Sequence, residues 1–150
     1  DNADVYGNLY NWYAVDDSRG IAPEGWHVPT DDEIKGLELS LGMSESEINN
    51  EWYRGTDEGS KLAGNTDLWD TGELENNTNF GTSSFNALPG GGYLAFEGFK
   101  FFGYIGYFWS STEDLVNTQA WGRSLDSYSA SVSRVNSSKS SYYSIRCIKD

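Results

Sequence analysis

The chain carries one histidine, His27, and one cysteine, Cys147. Any Ser–His–Asp or Cys–His device would have to use His27, which lies in Gly25-Trp26-His27-Val28-Pro29-Thr30, just before a helix-capping sequence. In that place the imidazole is expected to fix backbone carbonyls rather than act as a base. A lone cysteine makes no internal disulfide, and by itself no zinc or iron–sulfur centre. Cys147 sits in the alternating run Ser144-Ile145-Arg146-Cys147-Ile148 and reads as a small buried hydrophobe on a terminal strand. No G-x-S-x-G elbow, Walker loop, G-x-G-x-x-G or H-E-x-x-H occurs. Gly90-Gly91-Gly92 follows Pro89 and precedes a strand pattern, so it is a turn; a phosphate cradle would open a helix. With 23 Asp+Glu, a carboxylate pair for glycoside hydrolysis can be drawn in many ways, and no pair is singled out. The expectation is a protein that is not an enzyme.

Carboxylates and amides do collect on predicted loops, which suits calcium, a hard cation taking six to eight oxygens. Asn65-Thr66-Asp67-Leu68-Trp69-Asp70-Thr71-Gly72-Glu73, followed by Asn76, Asn77 and Asn79, is one such stretch. Its first-choice ligands are Asp67, Asp70 and Glu73. Glu113, Asp114 and Asp126, with Asn117 beside them, form a second set. Neither has EF-hand spacing, and solvated acidic loops explain both equally well.

The last third mixes rigid aromatics with adaptable polar groups, the palette of binding surfaces. Arg123, Tyr128, Ser131, Asn136, Tyr142 and Tyr143 are the expected ligand contacts, with Trp121 as a flanking platform. Arg123 could grip a carboxylate with two parallel hydrogen bonds. Trp109 and Trp121 are the rings most readily placed in a core, and Tyr128 and Tyr142 the ones most readily exposed.

These residues need elements to hold them. Thr30 can cap a helix while Glu33 reaches back, with Asp31 and Asp32 at the positive end of the dipole. Ile34, Leu37 and Leu41 recur on one face, and Gly42 offers a left-handed stop. A second capping box, Ser44 with Glu47, opens an apolar stripe of Ile48 and Trp52 that ends at Gly55. Two short helices are thus expected over roughly 30 to 54. An early strand is expected over Leu9 to Val15. From Lys61 to Ser84 the chain has loop chemistry, and a loop that long is either functional or pinned. Short aromatic and β-branched runs follow at 93–96, 104–109, 120–125, 130–134 and 143–147, each with period-two alternation. Helices first and a meander afterwards give an α+β class with an antiparallel sheet.

The length, 150 residues, suits one domain over 1–150 with a real core. Six Trp, ten Tyr and seven Phe argue against disorder despite a mean hydropathy of −0.60. Ten Lys+Arg against 23 Asp+Glu leave a net charge of −13, which repels nucleic acid and anionic lipid. No run approaches the ~18 apolar residues of a membrane span. The chain opens at Asp1 without Met or an apolar leader, so it reads as a piece of something longer.

Five ordered blocks carry a family resemblance: Tyr6-Gly7-Asn8-Leu9-Tyr10-Asn11-Trp12-Tyr13-Ala14; Arg19-Gly20-Ile21-Ala22-Pro23-Glu24-Gly25-Trp26-His27-Val28-Pro29-Thr30-Asp31; Phe85-Asn86-Ala87-Leu88-Pro89-Gly90-Gly91; Phe108-Trp109-Ser110-Ser111-Thr112-Glu113; and Ser144-Ile145-Arg146-Cys147-Ile148-Lys149-Asp150. Together they resemble the Fibrobacter succinogenes major paralogous domain. The resemblance implies a C-type-lectin-like fold, related to the formylglycine-generating-enzyme group, with two helices, a short twisted sheet, long loops and termini that meet. It also separates binding from catalysis. Formylglycine-generating enzymes need a cysteine pair for copper, which this chain lacks, and the Glu-Pro-Asn and Gln-Pro-Asp calcium strings of sugar-binding C-type lectins are absent too. Family members commonly have Cys where Ala22 stands, pairing with the terminal Cys; its loss removes a staple of about 2–4 kcal/mol. They often have Gly near Tyr142, so a ring there implies a surface altered for contact. Similar modules sit near the tips of calcium-dependent repeat adhesins. In the variable proteins of diversity-generating retroelements, the stretch matching Trp109 to Arg146 carries the changeable ligand surface.

The reading that results is a non-catalytic module of a secreted or surface-attached bacterial adhesin. It would be monomeric in isolation and bind a peptide or protein epitope with calcium ordering its loops. A glycan-binding module is the first alternative, and an enzyme acting on polysaccharide the second.

Overall fold

A computed structural model describes residues 2–115 and 118–150. In chain order the elements are α1 (Asn2–Tyr6), β1 (Tyr10–Asn11), α2 (Trp12–Val15), β2 (Trp26–His27), α3 (Asp31–Ser40), β3 (Trp52–Arg54), α4 (Glu58–Leu62), a 3-10 turn (Thr66–Leu68) and α5 (Glu73–Asn76). Then come β4 (Gly92–Leu94), β5 (Gly98–Lys100), β6 (Ile105–Glu113), β7 (Gln119–Asp126), β8 (Val132–Ser138), β9 (Tyr142–Tyr143) and β10 (Ile148–Lys149). The strands form three antiparallel sheets, ordered β3-β8-β7-β6, β1-β9-β4-β5 and β10-β2. Short helices with antiparallel sheets make this an α+β protein, as its sequence leads one to expect. The N-terminal and C-terminal segments pair twice, Tyr10 with Tyr143 and Trp26 with Lys149.

The helix expected from the first capping box is α3. Thr30 Oγ1 accepts from the Glu33 N–H, and the Glu33 carboxylate accepts from the Thr30 N–H at 2.8 Å. The second box closes one turn and no helix. Ser44 Oγ reaches Glu47 Oε2 at 2.5 Å, and the other Glu47 oxygen accepts from the Gly55 N–H. Downstream, Trp52 adopts a left-handed backbone (φ 63°) and the chain enters β3, paired with β8. The early strand is likewise cut to two residues, because the Asn11 side chain accepts from the Ala14 N–H at 3.1 Å and starts α2. The long segment 61–84 is pinned. Trp69 and Leu74 are buried in it, and the Trp69 indole N–H donates to Gly64 O. His27 fixes carboxylates where carbonyls were expected, with Nδ1 2.6 Å from Asp150 and Nε2 3.0 Å from Glu33. Asp150 first, then Glu33, raises its pKa. Cys147 lies between β9 and β10, half-buried, and burial pushes its thiol pKa up, away from reactivity.

The sheet β3-β8-β7-β6 has a different chemistry on each face. Phe108, Leu125 and Val132 point one way, into a core with Met43, Ile48, Leu62, Trp69 and Leu74. On that face α3 is held by ions. Glu38 takes both oxygens to Arg54 Nη2 (3.0 and 2.9 Å) and to Arg123 (2.7 and 3.2 Å). Asp31 receives Arg123 Nη1 at 2.8 Å and Arg134 Nη2 at 2.8 Å, and Lys35 closes on it at 2.9 Å. All five residues of the Asp31–Glu38–Arg54–Arg123–Arg134 cluster are buried. Burial pushes the Asp31 carboxyl up, but hydrogen bonds from Arg134 and the charge of Arg123 outweigh it and hold it well below the usual carboxylate range. The other face meets a second core of Trp12, Trp109, Ala120 and Tyr143.

Removing one partner from this cluster leaves a buried charge uncompensated. Glu38→Gln should therefore cost about 3–5 kcal/mol, read from the denaturant midpoint. Because the folded pKa of Asp31 is depressed, its stabilisation is present above the unfolded value of ~3.9 and is lost as pH falls below it. Asp31→Asn should thus destabilise at neutral pH and flatten the acid limb of the stability curve.

Candidate functional site

Beside the second core, the sheet face opposite α3 opens into a groove of about 420 Å³. Its floor follows from strand register. Tyr53 faces Ser133, Ser133 faces Ser124 and Ser124 faces Tyr107, giving one row of hydroxyl-bearing side chains across four strands. Asp126 lies two residues beyond Ser124 on the same face, opposite Ile105. Behind Tyr107, the ring of Tyr143 stacks at 4.7 Å on one side and against Trp109 at 4.3 Å on the other, a rigid end wall.

The rim is aromatic and exposed. Trp52 is 68% exposed, Tyr128 57%, and Phe96, at the tip of the β4–β5 hairpin, fully so. Tyr128 turns back over the sheet end, its hydroxyl 2.6 Å from that of Tyr53. Trp52 (φ 63°) and Phe96 (φ 72°) both sit in left-handed backbone. For residues with a Cβ that conformation costs on the order of 1–2 kcal/mol each, held by the surrounding structure.

At the floor Asp126 is 1% exposed, and its Oδ2 has no hydrogen-bond partner. Burial pushes its pKa up, while the neighbouring hydroxyls of Tyr53 and Ser124 favour the charged form and only partly offset that. Burial, followed by the Asp126 carboxylate, drives the Tyr53 phenol well above its ordinary range. Arg54, Arg123 and Arg134, which neutralise Asp31 and Glu38, project from the other face.

The expected contacts divide accordingly. Tyr128 stands on the rim, and Asn136 lines the groove with its amide given to Asp114 at 2.8 Å. Tyr142 lies in an adjoining hollow beside Phe96 and Phe99, edge-on to Tyr93. Ser131 does not line the groove; its hydroxyl pairs with that of Ser129 at 2.8 Å. Three expectations need correction. Arg123 is 3% exposed and fully engaged with Asp31 and Glu38, so it presents no guanidinium to a ligand. Trp121 lies on the α3 face, where the Arg134 guanidinium covers its ring at 3.5 Å. Tyr143 is buried and serves as wall, its hydroxyl donating to Ser137 Oγ. Sequence reasoning missed Trp52, Tyr53 and Phe96. Trp52 satisfies a helical apolar stripe equally well, and nothing local signals the left-handed turn that exposes it.

The acidic sets are not assembled. Glu113 pairs with Lys139 and faces Ala120, whereas Asp126 faces Ile105 six residues along β7, about 20 Å away at ~3.3 Å per residue. Asn117 lies outside the described residues. Asp67, Asp70 and Glu73 are exposed, and among the described residues no three or more His, Cys, Asp or Glu side chains gather as a metal site.

The sequence profile of the Fibrobacter succinogenes major domain matches residues 1–149. The chain belongs to that family. Searches of curated proteins and of solved structures returned no match. In this Fibrobacter succinogenes major domain no helix among the described residues is long and apolar enough to cross a membrane.

The buried carboxylate of the domain has a measurable cost. Its folded pKa is raised, so the folded state takes up the proton first and stability at Asp126 improves as pH falls. Asp126→Asn should stabilise the domain by about 1–3 kcal/mol at neutral pH in urea unfolding, and the gain should fade towards pH ~4.

Proposed function

We propose that the domain is a non-catalytic ligand-binding module of a bacterial surface adhesin, and that the groove over β3-β8-β7-β6 holds a peptide or protein epitope. What carries this reading is the pair of rim aromatics, Trp52 and Phe96, both exposed and both in strained backbone. Strain on two rings that face solvent and add nothing to the core is accounted for when the rings meet a partner. Rigid aromatics over a serine-rich floor suit peptide recognition, where large rings anchor and hydroxyls adapt. A C-type-lectin-like arrangement belongs to the same proposal. Paired terminal segments, short helices, long pinned loops and antiparallel sheets support it, as does family membership.

A glycan-binding module is the second reading, favoured by Trp52, whose exposed ring beside hydroxyl-bearing side chains could stack on a sugar. A peptide display library and a glycan array, run in parallel on the same protein, separate the two. Trp52→Gly and Phe96→Gly relieve the backbone, so each should leave stability within about 1 kcal/mol of the parent. Each should weaken the selected peptide by roughly 30-fold, the effect of losing an anchor of about 2 kcal/mol. Peptides that bind both variants as well as the parent would overturn the groove as the site.

Calcium dependence is a separable part of this proposal, supported by the exposed acids Asp67, Asp70 and Glu73 along the stretch between α4 and β4. Calcium at ~100 times its Kd should raise stability by about 2.7 kcal/mol. Identical melting curves with calcium and with chelator would remove it.

A further inference from the structure

Granting that the groove is the binding site, its chemistry also specifies the ligand group. We propose that Asp126 makes the groove selective for an organic cation, the ammonium or guanidinium of a lysine or arginine side chain on a peptide. Among the residues that line the groove, Asp126 is the one acidic or basic side chain. It is buried, and its Oδ2 is unpartnered. A buried carboxylate met only by the Tyr53 and Ser124 hydroxyls, with one oxygen unpartnered, is costly, and this chain gives its other deeply buried acids arginines or backbone N–H groups. Asp31 and Glu38 receive three arginines, and Glu58 accepts two backbone N–H groups. The free energy left unrecovered at Asp126 is what an incoming cation regains.

The walls agree with the floor. Tyr53, Tyr107 and Tyr128 line the same groove, and aromatic faces attract desolvated cations. Burial, with the Asp126 charge adding to it, keeps the Tyr53 and Tyr107 phenols protonated and the rings neutral. The −13 net charge draws cations toward the surface and repels anionic groups. A bare hard metal ion fits less well, since the groove supplies one carboxylate where such ions want six to eight oxygens.

The probes are Nα-acetyl-lysine methylamide, its arginine counterpart, the uncharged near-isostere Nα-acetyl-norleucine methylamide, and glucosamine as an ammonium on a sugar. Each is titrated into 15N-labelled protein and followed by amide chemical shifts. The lysine and arginine probes should shift Tyr53, Asp126 and Tyr128 saturably and bind at least ~10-fold tighter than norleucine. Asp126→Asn should abolish that preference. Glu45→Gln, which removes an exposed charge outside the groove, should keep it. Equal binding of lysine and norleucine, or an unchanged preference in Asp126→Asn, overturns the proposal. Glucosamine binding above the lysine probe overturns the peptide origin of the cation. Library peptides that need Trp52 and Phe96 yet show no enrichment in Lys or Arg overturn the cation inference while the groove reading stands. Peptides indifferent to those two rings sink the groove reading itself.

Discussion

The cluster of Asp31, Glu38, Arg54, Arg123 and Arg134 is the constraint on which the architecture turns. Three arginines come from three neighbouring strands, β3, β7 and β8, and converge on two acids one face of α3 presents seven residues apart. Arg123 stands directly opposite Arg134 in the ladder, an unfavourable placement for like charges unless something sits between them. Asp31 does, accepting from both. Buried ion pairs are seldom the most stabilising way to fill space, since desolvation consumes most of the Coulombic gain. Their effect here is to fix register. A slip of one residue in β7 or β8 would turn an arginine away from α3, leaving both it and a buried acid unpaired.

This fixing of one face decides the other. Strand alternation sends Arg123 and Leu125 toward α3 and therefore sends Ser124 and Asp126 to the opposite side. Arg134 and Val132 likewise leave Ser133 facing outward. The arginines of these strands are thus consumed behind the sheet, and the groove face keeps hydroxyls, rings and one carboxylate without a counter-charge. An acidic molecule with its strand arginines buried presents a surface whose unmet need is a positive charge. The rim strain at Trp52 and Phe96 follows the same logic, since stability surrendered at a surface is coherent only where another molecule returns it.

Legibility varied with how local the cause was. The capping box at Thr30 and Glu33 is a four-residue device, and its helix formed where those residues place it. The runs at 104–109 and 120–125 became β6 and β7 because alternation reports which side of a strand is buried. The second capping box shows the limit. Ser44 and Glu47 made their contact, but Glu47 was also claimed by Gly55, and pairing with β8 drew Trp52 and Tyr53 into a strand. Arg123 and Trp121 illustrate the same limit at the site. They share one side of β7, and an arginine on an alternating strand looks alike whether that side meets solvent or a helix carrying two acids.

The sequence by itself determined the class of the protein: one acidic, aromatic-rich α+β domain, with a capped helix ahead of a meander of short strands. Those features arise from interactions within a few residues, and no distant partner is needed to specify them. Tertiary structure alone decided which face of the meander became interior, because that choice depends on Asp31 and Glu38 lying 85 to 103 residues before Arg123 and Arg134, which they bind. It thereby decided that Arg123 is structural, that Tyr128 and Trp52 stand at an opening, and that Asp126 is buried without a counter-charge. Pairing at such sequence separations leaves no periodic trace in the chain.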